Sequence, residues 1–197
     1  MGTVTAGFSM SLDGFVADSK DGVAEVFKWY SAGNAEAEVE TDGTTFKMTA
    51  EGADYIEAAG KAAGVLVTAR RTFAIADAWG GKHPMDVPVV VVTHTAPQEW
   101  TDRRDSPFTF VTDGVESAIE AAQQIAGNKD VVVGAPSVMQ QCLVLGLLDE
   151  IHIDLAPVVL VHGVRLFDHL GTGPIELELT DASGTPHVTH LTYRVLK

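Results

Sequence analysis

Two short segments, about sixty residues apart, hold the residues best placed for chemistry. The first is Val65-Leu66-Val67-Thr68-Ala69-Arg70-Arg71-Thr72-Phe73, an apolar strand that runs into a small residue, a basic pair and a hydroxyl. The second is Asp130-Val131-Val132-Val133-Gly134-Ala135-Pro136-Ser137, a β-branched run that ends in small residues and opens a helix. In both, backbone can approach an anion closely while a helix N-terminus turns its N–H groups outward. Two such turns in one domain predict a ligand with more than one phosphate, and a dinucleotide is the expected one.

Other chemistries find less support. The histidines lack ligand spacing: His187 and His190 fall on opposite faces of a regular strand, while His152 and Asp154 share a face but are too few for zinc. No metal site is expected. The single cysteine, Cys142, sits in an apolar helical pattern and reads as a small core residue. No Gly-x-Ser-x-Gly turn is present, so acyl transfer has no support. The formal net charge is −14, with only 13 Lys and Arg residues, which argues against a nucleic-acid partner. Backbone amides and a few local cations can still hold an anionic cofactor. No run of about 18 apolar residues occurs, and residues 1–7 do not read as a secretion signal, so a cytoplasmic location is expected.

The elements that must position these turns read as mixed α/β in a single domain over 1–197. Strands are expected at 3–9, 64–68, 88–93, 108–111 and 130–134. Helices are expected at 51–63, near 71–77, at 114–126 with Asp113 as cap, and at 137–146. Val89-Val90-Val91-Val92 is a continuous apolar run typical of a strand covered on both faces. The tail changes character: strands at 150–156, 175–181 and 187–196 are joined by Gly, Pro and Ser turns. Early strands that alternate with helices should be parallel, and the turn-linked last ones antiparallel. Residues 20–50 show no clear pattern around Phe27-Lys28-Trp29-Tyr30, and an irregular stretch of that length is more often functional than structural.

Five segments, in order, resemble the dihydrofolate-reductase-like fold. The similarity is to the reductase domain of the bifunctional riboflavin-biosynthesis deaminase/reductase and its stand-alone bacterial relatives. They are Ser9-Met10-Ser11-Leu12-Asp13-Gly14-Phe15-Val16-Ala17, Ala69-Arg70-Arg71-Thr72-Phe73, Val90-Val91-Val92-Thr93-His94, Val131-Val132-Val133-Gly134-Ala135, and the run from Gly146-Leu147-Leu148-Asp149-Glu150 through Gly163-Val164-Arg165-Leu166-Phe167. The resemblance implies a three-layer α/β/α fold, with a mixed, mostly parallel central sheet and antiparallel C-terminal strands. It implies a reductase that takes hydride from NADPH, as a homodimer acting on a small molecule. Arg70 and Thr72 would hold the pyrophosphate and adenosine-side phosphate, with Ala69 at the turn. Thr93 and His94 would meet the 2′-phosphate. Gly134, Ala135, Ser137 and Val138 would form the helix start under the pyrophosphate. Ser9, Val16 and Ala17 would lie near the nicotinamide.

Two positions depart from the family pattern. Ala69 stands where glycine is usual, and Ala135-Pro136 stands where a second glycine is usual. A Cβ at either place would crowd a phosphate or demand an unfavourable φ. A protein of this fold that binds nucleotide or ligand without turnover is therefore the alternative.

Reduction of a C=N or C=O also needs a proton. Asp13, just after the first strand, is the candidate donor, against its reading as an Asp-Gly turn residue. Glu36, Glu38 and Glu40 are others. Trp29, Tyr30 and Trp79 are candidates for an aromatic pocket around a flat heterocycle. The substrate class stays open among pterin-like, riboflavin-precursor-like and carbonyl compounds.

Overall fold

The structure is a computed structural model that describes residues 2–32, 37–41, 44–171 and 173–197. The elements begin β1 (Val4–Ser11), β2 (Phe15–Ala17), β3 (Ala37–Thr41), β4 (Thr44–Met48), α1 (Ala50–Ala62), β5 (Ala63–Ala69) and α2 (Arg70–Ile75). They continue β6 (Val89–Val92), α3 (Gln98–Thr101), β7 (Phe108–Val111), α4 (Val115–Ala126), β8 (Asp130–Val133) and α5 (Pro136–Val144). The last are β9 (Glu150–Ala156), β10 (Val164–Arg165), β11 (Leu177–Thr185) and β12 (Val188–Val195). The chain packs as two compact units, one holding the residues up to Ala6 with Ala62–Asp149, the other Gly7–Lys61 with Glu150–Lys197.

In the first unit the strands run β1-β8-β5-β6-β7, and every neighbouring pair is parallel. Parallel neighbours need crossover connections, which α2, α4 and the segments between them supply. The apolar run of β6 is covered on both faces: Val89, Val90 and Val91 are all fully buried. α4 buries Val115, Ala118, Ile119, Ala122 and Ala126, a stripe at three- and four-residue steps that packs on β5, β6 and β8. The cap of α4 differs from expectation. Gly114 is the N-cap, with no side-chain cap bond, and the Asp113 carboxylate instead takes a hydrogen bond from the Thr112 hydroxyl. Cys142 is buried, and burial pushes its thiol up to about 12, so it stays protonated and inert.

One connection in this unit is strained. Asp77, Ala78 and Trp79 have φ of 47°, 50° and 49°, a left-handed run of side-chain-bearing residues. Each costs about 1–2 kcal/mol against the right-handed form. The turn carries Ala78 and Trp79 onto an apolar cluster of Leu66, Phe73, Val89, Val91 and Phe108, whose burial offsets that cost.

In the second unit β9, β12 and β11 form antiparallel ladders, as the turn-linked tail predicts. β12 is registered on β9 so that Thr189–Arg194 oppose Leu155–Glu150, with His190 directly across from Asp154. The stretch at 20–50 contains a β3–β4 hairpin and a one-turn 3₁₀ helix at Lys28–Ser31, neither legible in the sequence. Thr49 caps α1 by accepting the Gly52 amide on its hydroxyl at 3.1 Å. The short strands β2 and β10 pair antiparallel and were also not anticipated.

Candidate active site

In the first unit, β8, β5 and β6 are consecutive parallel neighbours, so their C-terminal turns share one edge of the sheet. That edge is where parallel α/β sheets bind ligands. It brings together Ala69-Arg70 and Thr72 after β5, Thr93-His94 after β6, and Gly134-Ala135 with Ser137 and Val138 after β8. Ala69 has φ −95° and Ala135 φ −134°, both extended conformations open to any residue. The alanines that replace glycines therefore impose no backbone strain. Gly134 is the tight position, since a Cβ there would stand 2.8 Å from Leu66 Cδ1.

The polar groups at this edge differ in how committed they are. The Thr93 hydroxyl is engaged in its own turn, donating to the Thr95 carbonyl at 2.9 Å and accepting the Thr95 amide at 3.3 Å. His94 is exposed. Arg70 lies 5.6 Å from the Phe73 ring centroid and forms no ion pair with any described residue. Thr68, fully buried one residue before Ala69, has a hydroxyl with no hydrogen-bond partner. Sequence reading missed Thr68, because an isolated threonine in a strand carries no signal.

Trp79, expected in an aromatic pocket, packs in the first unit's apolar cluster, edge-on to Phe73 at 6.2 Å and to His83 at 4.7 Å. Burial holds His83 down near 4, so it is neutral at pH 7.

The second unit gathers a different set. Trp29 is buried and donates its indole N–H to the Ser9 hydroxyl at 3.0 Å. Tyr30 stacks against Trp29 with centroids 4.0 Å apart. Trp29 also meets the His190 ring edge-on at 5.3 Å, while Tyr55 of α1 stacks on the same imidazole at 4.0 Å. His190 Nδ1 lies 2.7 Å from Asp154 Oδ1. Tyr55 interacts with the same carboxylate, including through a side-chain hydrogen bond. Burial first, and then the Asp154 charge, push both Tyr30 and Tyr55 well above the usual phenol range. Ser9 and Tyr30 thus both contact Trp29. Tyr55, Asp154 and His190 were not among the sequence candidates. The groove beside this cluster has a volume of about 330 Å³ and is lined by Trp29, Ala156, Val158 and His187, with Glu25 and Lys28.

Asp13 has a defined task in the same unit. Its carboxylate accepts from the Ser11 hydroxyl at 2.7 Å and from the amides of Leu160 and Val161 at 3.0 and 2.8 Å. The Ser11 bond and these backbone donors hold its pKa near 2. At neutral pH it is an anion that ties two loops, with no proton to give. Val16 and Ala17 lie on β2 and are buried. Gly163 comes so close to this strand that a Cβ on it would stand 2.0 Å from the Ala17 carbonyl oxygen. Glu36 lies outside the described residues, and Glu38 and Glu40 sit on β3.

No curated protein matches the chain in sequence. Among solved structures, it superposes on a protein assigned to riboflavin biosynthesis from Shewanella sp. PV-4 with a TM-score of 0.74 and 21% identity, covering 99% of each chain. It superposes on Acinetobacter baumannii RibD with a TM-score of 0.65 and 14% identity, and spans 58% of that longer chain. Dihydrofolate reductase from Enterococcus faecalis, solved with NADP(H), gives a TM-score of 0.61 at 13% identity over 100% of this chain and 98% of that one. At such identities these likenesses establish the fold, which is dihydrofolate-reductase-like with a mostly parallel sheet and antiparallel C-terminal strands. The RibD C-terminal domain family matches residues 2–191, nearly the whole length, and this chain belongs to that family of reductases.

Proposed function

We propose that this protein is an NADPH-dependent reductase that adds hydride to a C=N or C=O of a small heterocyclic or carbonyl substrate. The observation that carries the reading is the shared edge of β8, β5 and β6, where Arg70 has no ion-pair partner among the described residues in a chain of net charge −14. A cation with no carboxylate partner among the described residues of so acidic a protein suits a phosphate. The extended φ values of Ala69 and Ala135, and the partnerless Thr68 hydroxyl, make the edge compatible with a dinucleotide. When bound, the cofactor supplies the hydride.

The chain's own residues bind and orient. Arg70 and Thr72 would hold a phosphate, with His94 beside them at the end of β6. Ser137 and Val138, at the start of α5, would lie under the pyrophosphate. Pro136 at the first helical position provides no N–H, so the amide count there is one lower than in a glycine-rich turn. In the second unit Ser9, Val16 and Ala17 would line the reacting ring, and Trp29 and Tyr30 the flat substrate. β11 is an edge strand with Leu177 and Leu179 exposed, which supports pairing of two copies and is checked by light scattering.

The test is a titration with NADPH and with NADH, followed by tryptophan fluorescence. NADPH-selective binding is expected, with Arg70→Ala weakening it about tenfold, or about 1.4 kcal/mol. No binding of either nucleotide up to about millimolar, near −4 kcal/mol, overturns the reading.

A further inference from the structure

Residues 157–163 of the second unit link β9 to β10 and are fixed at both ends. Ala156 is buried just before them, and Gly163 lies against β2, close to the Ala17 carbonyl oxygen. Between these ends packing is thin: Val158 and Leu160 are half-buried, while Val159 and Val161 are 57% and 62% exposed. Hydrogen bonds to the turn after β1 hold the backbone instead. The Leu12 amide donates to the Val158 carbonyl at 2.8 Å, and the Asp13 carboxylate accepts from the Leu160 and Val161 amides. Ser11, fully buried, donates its hydroxyl proton to that carboxylate and accepts the Phe15 amide at 3.0 Å, which fixes the carboxylate in place. Val161 itself has a φ of 69°, and across it the His162 amide donates to the Leu160 carbonyl at 2.8 Å. A three-residue turn of this hand is strained, and a β-branched residue at positive φ is an outlier. Such strain persists only where the surroundings over-determine it, and here one carboxylate on two successive amides does so.

The same segment walls the groove of the second unit. Pro157 and Val158 line it, together with the buried Ala156 and Trp29. Its volume of about 330 Å³ is at the lower end for small-molecule sites, so a larger ligand enters only if a wall yields. We propose that residues 157–163 are a gate on this groove, with Val161 as its spring and Asp13 as its catch. In the structure the gate is shut, and Ala156 and Trp29 are covered. When the two Asp13 bonds break, Val161 relaxes to negative φ, Pro157 and Val158 move off, and the groove widens over Ala156 and Trp29. Opening exchanges solvent-facing hydrogen bonds for bonds to water and releases the strain. A segment with few buried apolar contacts and exposed backbone hydrogen bonds opens at low free energy. Every part of the gate belongs to the second unit, and the proposal is independent of the reductase reading.

The experiment is thiol labelling without any nucleotide. Ala156→Cys places a thiol on the groove where it is covered while the gate is shut. Its reaction with dithionitrobenzoate is timed in three backgrounds: alone, with Val161→Asn and with Asp13→Asn. Wild type, whose single Cys142 is buried, gives the background rate. Asparagine occupies the left-handed region several-fold more readily than valine, so Val161→Asn weakens the spring and should slow labelling about threefold or more. Asp13→Asn removes the charge and one of the two accepting oxygens, and should speed labelling about tenfold. Amide exchange, which needs no introduced thiol, checks the same equilibrium. In wild type the Leu12, Leu160 and Val161 amides should exchange together and well ahead of Ile151 and Ile153 on β9, and Val161→Asn should slow Leu12 and Leu160 by the factor seen in labelling. Equal labelling rates in the three backgrounds overturn the gate. Exchange of Leu12 and Leu160 that is no faster than that of β9, or that Val161→Asn leaves unchanged, overturns it equally, and this second readout decides alone if Ala156→Cys does not fold.

Discussion

The two units bury different kinds of polar side chain. Among the described residues, the first buries Thr5, Thr68 and Thr93, uncharged hydroxyl side chains that cost far less to enclose than an unpaired charge, even at Thr68, whose hydroxyl has no hydrogen-bond partner. The second buries Ser9, Ser11, Asp154 and His190. The first unit follows the regular logic of parallel strands with helical crossovers, and its candidate chemistry sits in turns at the rim. The second holds an ionisable pair inside, between antiparallel strands and three aromatic rings. Enclosing ions is expensive unless they are paired and hydrogen-bonded. Among the described residues, such a buried pair occurs in the second unit and not in the first.

The comparison breaks most sharply at Asp154. Asp154→Ala removes the counter-group of a buried imidazole and should destabilise the protein by about 3–5 kcal/mol. Urea unfolding at pH 7 measures it, and a loss below about 1 kcal/mol would mean that the pair is not enclosed as described. In the first unit the corresponding probe is apolar. Met139 on α5 is fully buried, and Met139→Ala should cost about 2–5 kcal/mol, with no change in the pH dependence of stability. Gly163→Ala tests the close approach to Ala17. The added methyl meets backbone, so a loss of about 1–3 kcal/mol is expected, with a smaller loss if the loop can shift.

The smallest effect concerns acid. The Asp13 carboxyl has a folded pKa near 2 against an ordinary 3.8, so it stabilises the native state above about pH 4 and loses that contribution as pH falls towards 2. Asp13→Asn should remove this part of the acid limb and speed amide exchange at Val161. An unchanged acid transition would mean that the loop tie contributes nothing.

Much of the fold was legible because the relevant signals are local. Val89–Val92 had to be a covered strand, since four consecutive β-branched residues suit neither an exposed strand nor a loop. α4 announced itself by its apolar stripe and by Gly127, whose φ of 63° ends it. The turn at Asp13-Gly14 was readable as well, and the structure gives that aspartate the turn's task. The 20–50 stretch resisted because a hairpin and a single 3₁₀ turn rest on contacts made elsewhere in the chain, with little periodicity of their own. Trp79 looked like Trp29 in sequence, yet it packs in an apolar cluster, because the left-handed turn at Asp77–Gly81 sends it there.

By itself the sequence determined which residues could form strands and helices, and that the early strands would be parallel and the late ones antiparallel. These follow from short-range periodicity, turn chemistry and the cost of burying charge. Tertiary structure alone decided that Ala69 and Ala135 adopt backbone angles an alanine tolerates. It alone set Asp154 against His190, because strand register is a long-range choice. Reading along β9 pairs Asp154 with His152, its neighbour on the same face, whereas hydrogen bonding across the sheet gives it to a histidine 36 residues away.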